Sequence, residues 1–304
     1  MQAPRINTLL KRLPLGRCPP TYARFSTSRP FQTGELRDGD LRSLPGRFHL
    51  KNKNVLITGG GRGIGYGITR GIAEMGGNVI VLDALPEPVK DFERLSKELN
   101  VRTKYAQVDI TDEPAMARAF DEAVAEFRTL DGCVTAAGIL PGSSFVDQSM
   151  DVLRRILDVN IVGTYLTTQL ATKQMLKQGT GGSVVMIASI GASETVPNAK
   201  MSAYNASKAG VKMLASALST ELGPHQIRVN SISPGTIQTD ILKPFLAADP
   251  QMERIVTSTP ALKRMGDRND ITPAAVYLLS EASGFTTGID MLITGGLHGG
   301  RLDA

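Results

Sequence analysis

Asn54-Val55-Leu56-Ile57-Thr58-Gly59-Gly60-Gly61-Arg62-Gly63-Ile64-Gly65 is the stretch whose reading decides the fold of this chain. Its first five residues form a short apolar run of the kind that becomes a buried strand. The glycines that follow allow a sharp turn and a close approach to the backbone, and a helical pattern then runs to about Met75. Strand, glycine-rich turn and helix N-terminus together make a pyrophosphate site. The N–H groups of the first helical turn lack partners, and the helix dipole favours an anion there. A glycine cluster alone is only a turn; the strand before it and the helix after it give it chemical meaning.

A second apolar run, Asn78-Val79-Ile80-Val81-Leu82, ends in Asp83, 18 residues beyond Gly65. A carboxylate at that place accepts hydrogen bonds from both ribose hydroxyls and repels a 2′-phosphate, which favours NAD over NADP. Arg62, a cation inside the glycine loop, argues the other way, so NADP is not excluded.

The alternation continues along the chain. Tyr105–Asp109 is expected as a third strand, Glu113–Arg128 as an amphipathic helix, and Cys133–Gly138 as a fourth strand of small residues. Asp147–Lys177 shows a long helical pattern, mildly interrupted at Gly163, and Ser183–Ser189 a fifth strand. A helix through Tyr204 to about Gly223-Pro224 precedes a sixth strand, Ile227–Ile232, ended by Ser233-Pro234-Gly235. A helix over Thr272–Ser280 and a strand at Met291–Ile293 close the series. Near-continuous apolar strands separated by helices argue a parallel sheet covered on both faces. Residues 241–265 break this rhythm and carry Phe245, Leu246, Met252 and Ile255. Together with the residues from 236 they are read as a helical flap over a substrate.

Within the helix that follows the fifth strand, Ser202-Ala203-Tyr204-Asn205-Ala206-Ser207-Lys208 sets a tyrosine and a lysine four residues apart. That spacing stacks them on one helical face. A cation beside the phenol favours the phenolate, so Lys208 is expected to lower the pKa of Tyr204 and make it a usable general acid/base. The pattern is weak alone, because both residues are common; it gains weight beside a dinucleotide loop.

Composition bounds the remaining possibilities. The 304 residues, 41% of them hydrophobic, suffice for one large domain with a sizeable core. No apolar run approaches the ~18 residues that a membrane span needs. Cys18 and Cys133 suggest no disulfide framework, and the three histidines (His49, His225, His298) show no metal-ligand spacing, so no metal is expected. The net charge of +5 belongs to the N-terminus: residues 1–34 hold six basic residues and no acid. The remainder has 28 basic against 29 acidic residues and no excess suited to nucleic acid. The basic, Ser/Thr-rich segment through Ala23-Arg24-Phe25-Ser26-Thr27-Ser28-Arg29 has the composition of a mitochondrial presequence, implying the matrix; as a basic tail with no address it would leave the protein in the cytoplasm. Residues 35–52 are read as a connector and 53–304 as one Rossmann-type domain.

From about residue 50 to 297 the chain resembles the single-domain type of the short-chain dehydrogenase/reductase family. The resemblance lies in Thr58-Gly59-x-x-x-Gly63-x-Gly65, Asn160, Ser189, Tyr204-x-x-x-Lys208 and Pro234-Gly235, in the family's order. It implies a doubly wound, seven-stranded parallel sheet in the order 3-2-1-4-5-6-7, a homotetramer or homodimer, and hydride transfer between nicotinamide and an alcohol or carbonyl carbon. It further implies Tyr204 as acid/base, Lys208 as its partner and a ligand of the nicotinamide ribose, and Ser189 as holder of the substrate oxygen. Asn160 would hold a water that links Lys208 to solvent. Cofactor contacts are implied at Gly59, Arg62, Gly63, Ile64, Gly65, Asp83, Asp109, Ile110, Ala137 and Gly138. Others fall on Tyr204, Lys208, Pro234, Gly235, Ile237 and Thr239, with Thr236 nearby.

Two departures stand out. The family's Asn-Asn-Ala-Gly is Thr135-Ala136-Ala137-Gly138 here, and Ser189 precedes Tyr204 by 15 residues, longer than the commonest family spacing. That longer spacing, Pro197 and Tyr204-Asn205 resemble fungal polyol dehydrogenases and ketose reductases. Ser193 is a competing serine, but Ser189 lies nearer the strand end, where such sheets bind ligands. The leading expectation is an NAD-linked secondary-alcohol/ketone oxidoreductase, with a polyol/ketose pair in view. The alternatives are a 3-oxoacyl-thioester reductase of mitochondrial fatty-acid synthesis, disfavoured by Asp83, and a non-catalytic dinucleotide-binding scaffold or sensor.

Overall fold

The computed structural model describes residues 43–196, 199–248 and 250–299. The leader 1–34, the start of the connector, Pro197 and the last five residues lie outside the described residues.

Seven parallel strands form one sheet in the order β3-β2-β1-β4-β5-β6-β7. They are β1 (Asn54–Thr58), β2 (Asn78–Asp83), β3 (Thr103–Gln107), β4 (Gly132–Thr135), β5 (Gly182–Ile187), β6 (Ile227–Pro234) and β7 (Asp290–Ile293). Side chains alternate across a strand, so the continuous apolar runs feed two cores. Val55, Ile57, Val79 and Val81 pack on one face with Ile68, Ile72 and Ile271; Leu56, Ile80 and Met186 pack on the other with Met116, Phe120 and Met175. The first core is covered by α2 (Gly63–Glu74) and α10 (Arg268–Leu279), the second by α4 (Glu113–Phe127), α6 (Thr164–Gln178) and α7 (Ser202–Leu222). Burial of a Leu or Ile side chain contributes roughly 1.5–3 kcal/mol, and the buried polar residues inside β6 are hydrogen-bonded, Asn230 to the Thr286 carbonyl and Ser231 to Asp290.

Several expected boundaries move. β3 ends at Gln107 rather than Asp109, because the Asp109 carboxylate turns back to accept from the Thr111 N–H (2.9 Å) and hydroxyl (2.8 Å). β4 ends at Thr135, and Ala136–Gly138 run on as open backbone against the glycine loop. β5 ends at Ile187, so Ser189 lies beyond the strand and caps a short 3-10 turn, Ile190–Ala192. The expected helix over 147–177 is three pieces: α5 (Met150–Leu157), a π-helical turn (Asp158–Gly163) and α6. Two short helices were not expected, α1 (Leu44–Phe48) inside the connector and α3 (Phe92–Leu99) after β2. Beyond β6, α8 (Lys243–Ala248) and α9 (Pro250–Ser258) give the 236–265 segment its expected helical content.

Candidate active site

A cleft opens at the C-terminal ends of the strands, where parallel sheets bind ligands. Its nucleotide end is bounded by Gly59, Arg62, Gly63, Ile64 and Gly65 below and by Asp83, Asp109 and Ile110 at the side. Ala137, Gly138 and Thr239 complete that end. The other end is bounded by Ser189, Tyr204, Lys208, Pro234, Gly235 and Ile237, and Ile64, Gly138 and Thr239 border both. Of the expected site residues only Asn160 lines neither end.

The glycine loop fits a dinucleotide by what it leaves out. Gly59 (φ +69°) backs onto Ala137, whose Cα and N would stand 2.6 Å from any Cβ placed there. At Gly65 a Cβ would come 2.0 Å from the Gly59 carbonyl oxygen. At Gly63, facing the cleft, the nearest neighbour is Thr239 Cγ2 at 3.8 Å. The loop is therefore folded tightly on itself and open toward the cleft, and α2 starts there with no side-chain cap among the described residues, leaving first-turn N–H groups to face an anion. Asp83 is held by two backbone donors, Gly61 N–H on Oδ2 (2.9 Å) and Leu85 N–H on Oδ1 (3.1 Å). Arg62 is exposed and stands before the first turn of α2. Asp109 is paired with Arg155 (3.0 Å), which also bounds the cleft and which the sequence pattern did not single out.

At the far end, α7 begins at Ser202, so Tyr204 and Lys208 lie one turn apart in its first two turns. Tyr204 is hydrogen-bonded by Ser189, while Gly191 N–H donates to Ser189 Oγ (3.1 Å) and fixes that hydroxyl. The competing Ser193 instead accepts from Lys212 Nζ (2.6 Å), so Ser189 is the serine that meets the phenol. Lys208, buried, donates to the Ile187 carbonyl (2.8 Å), and its Nζ stands 5.8 Å from the Tyr204 ring centre.

The electrostatics correct one expectation. Burial holds the Tyr204 phenol above its ordinary range, and the Ser189 hydrogen bond pulls it only partly back. Burial also lowers the Lys208 ammonium to about 8. Lys208 was expected to acidify the phenol; burial instead raises it, and the Ser189 hydrogen bond is the influence that lowers it.

Asn160 is a strut. Its Oδ1 accepts from Ile139 N–H (2.9 Å), and its Nδ2 donates to Ile139 O (3.1 Å) and Ser207 Oγ (2.9 Å). Ser207 in turn donates to the Tyr204 carbonyl (2.7 Å). The fully buried amide, set inward by the π-helical turn, thus ties the β4 loop to the turn that carries Tyr204. Ser207 was overlooked although it lies inside the Tyr204–Lys208 motif. Where the family has asparagine, Thr135 is buried beside its register partner Thr58, and neither hydroxyl has a hydrogen-bond partner among the described residues.

Residues 59–298 match a family model described as enoyl-(acyl carrier protein) reductase, a short-chain dehydrogenase/reductase model. This chain belongs to the short-chain dehydrogenase/reductase family. It is 36% identical to an L-rhamnose 1-dehydrogenase (NAD(P)(+)) of Sphingomonas sp., over 82% of this chain and 97% of that protein. It is 35% identical to an NADP-dependent mannitol dehydrogenase of Hypocrea jecorina, over 82% and 93%. A crystal structure of a short-chain type dehydrogenase/reductase from Mycobacterium marinum superposes with TM-score 0.78 at 32% identity, covering 84% of this chain and 99% of that one. The short-chain dehydrogenase/reductase described here is accordingly an NAD(P)-dependent oxidoreductase acting between an alcohol and a carbonyl carbon.

Proposed function

We propose that the enzyme interconverts a sugar or polyol alcohol and its carbonyl, with NAD preferred over NADP. One observation carries the reading. The Ser189 and Tyr204 hydroxyls are joined beside the buried Lys208 in a cleft that runs on to the glycine loop. When bound, the nicotinamide supplies or accepts the hydride. The chain's own part is the proton: Tyr204 Oη takes it from the alcohol in oxidation and returns it to the carbonyl oxygen in reduction. Ser189 holds that oxygen where charge develops. Burial keeps the phenol in the protonated form that donates to a carbonyl oxygen, and Lys208, still charged below about 8, favours the phenolate that oxidation needs.

The preference for NAD is supported by Asp83, whose carboxylate is clamped at the nucleotide end and would meet a 2′-phosphate with like charge. The sugar class is supported by relatives named for L-rhamnose and mannitol. Residues 236–265 act as the flap over the substrate, supported by Leu242 and Val256, which contribute to the cleft.

The test follows reduced-nicotinamide absorbance with purified full-length protein, NAD or NADP, and a panel of sugars and polyols. Tyr204→Phe is expected to lower kcat by about 10²–10⁴-fold while the melting temperature stays within a few degrees. Wild-type turnover by that variant would sink the proton-transfer role. Faster turnover with NADP would sink the cofactor preference, and no turnover of any sugar or polyol the substrate class.

A further inference from the structure

The substrate end of the cleft is unlike the nucleotide end in its chemistry. Leu140 from the loop after β4, Val196 and Met201 from the segment before α7, and Ile241, Leu242 and Val256 from the flap make one apolar wall. Leu242 is 9% and Val256 4% exposed, so this part of the wall is withdrawn from water. The polar side chains described around this end are Ser189, Tyr204, Lys208, Thr236 and Thr239. Most already have work within the protein. Ser189 and Tyr204 hold each other where the reacting oxygen belongs, Lys208 donates to Ile187 O, and Thr239 Oγ1 donates to Ile237 O at 3.3 Å. A substrate hydroxyl pushed against the wall would lose its water hydrogen bonds and, among the described residues, gain little in return. A methyl group there would bury apolar surface against apolar side chains of this wall.

We infer that the enzyme takes a deoxy sugar, whose terminal carbon is a methyl group, ahead of fully hydroxylated sugars and polyols. The inference rests on the sugar reading above and narrows it. The hydroxylated edge of the ring faces Ser189 and Tyr204, and the methyl end faces the wall formed by Met201, Leu242 and Val256. A hydrophobic pocket rejects an isostere that merely adds a hydroxyl by no more than about a hundredfold, which sets the size of the effect.

L-Rhamnose and L-mannose differ only in the terminal carbon, a methyl group in the first and a hydroxymethyl group in the second, and they make the comparison. With purified full-length enzyme and NAD, kcat/KM for L-rhamnose is expected to exceed that for L-mannose by about ten- to a hundredfold, with mannitol and sorbitol below both. Val256→Thr keeps the shape of the wall and adds a hydroxyl; Met201→Gln does so with a longer side chain. Each is expected to shrink the ratio about threefold or more while the Kd for NAD, read by calorimetry, stays unchanged. L-Mannose or mannitol equal to or better than L-rhamnose overturns the inference and leaves the sugar reading standing. A ratio unmoved in both variants overturns the part given to the wall. Tyr204-dependent turnover of cyclohexanol, with no sugar turned over, overturns both readings.

Discussion

The two ends of the cleft are built by opposite means. At the nucleotide end the backbone forms the surface: Gly59 lies against Ala137, Gly65 against Gly59, and α2 presents its first-turn N–H groups. At the substrate end side chains form it, from Leu140, Val196, Met201, Ile241, Leu242 and Val256, residues far apart in the sequence. A backbone surface requires particular residues at particular spacings, because a single Cβ would collide with main-chain atoms. A side-chain wall requires only apolar volume, which many residues satisfy. The first end is therefore recorded in one contiguous stretch, and the second is not.

Gly65→Ala tests this contrast most severely. Its Cβ would lie 2.0 Å from the carbonyl oxygen and 2.8 Å from the carbonyl carbon of Gly59, both main chain. Relief requires the loop to move, at ~1–3 kcal/mol of strain, so the Kd for NAD is expected to rise about ten- to a hundredfold. Calorimetric titration checks it. Unchanged affinity in Gly65→Ala would show that the loop yields as a side-chain wall does, and the contrast would fall.

Asp83→Asn is a milder probe, because it changes one charge and leaves the backbone surface intact. Removing the carboxylate while retaining an acceptor for Gly61 N–H is expected to move the NADP-to-NAD affinity ratio about tenfold toward NADP. A ratio that stays put would mean Arg62, not Asp83, sets the preference.

The same contrast explains what could be read in advance. The strand–glycine–helix unit and the strand order followed from apolar runs and the family motifs, since the strands are buried on both faces. The π-helical turn at Asp158–Gly163 did not, because its residues suit an α-helix equally well. The turn places Asn160 against Ile139, and that partner lies 21 residues away. The wall of the substrate end escaped for the same reason: Val196 and Leu140 have no local signature, and only the fold brings them together. Even for Tyr204 and Lys208, paired by spacing, the effect of burial on each was hidden, since spacing says nothing of how much water the site admits.

That hidden dryness gives the last test. The folded chain holds Lys208 near 8, against the usual 10.5, so between those values the unfolded chain keeps a proton that the folded chain has released. Folding stability then rises with pH across the window, and the gain is lost as pH falls back through about 8. The shift corresponds to about 3 kcal/mol across the whole window, an upper bound if water enters. The shifted Tyr204 phenol works in the opposite direction above its ordinary value of 10.0, but it is present in Lys208→Met as well. The difference in unfolding free energy between wild type and Lys208→Met, from denaturant titrations at several pH values, isolates the lysine. That difference is expected to climb in favour of the wild type between about 8 and 10.5. A flat difference would mean that Lys208 is solvated, and the substrate end would then be as wet as the open face of the glycine loop.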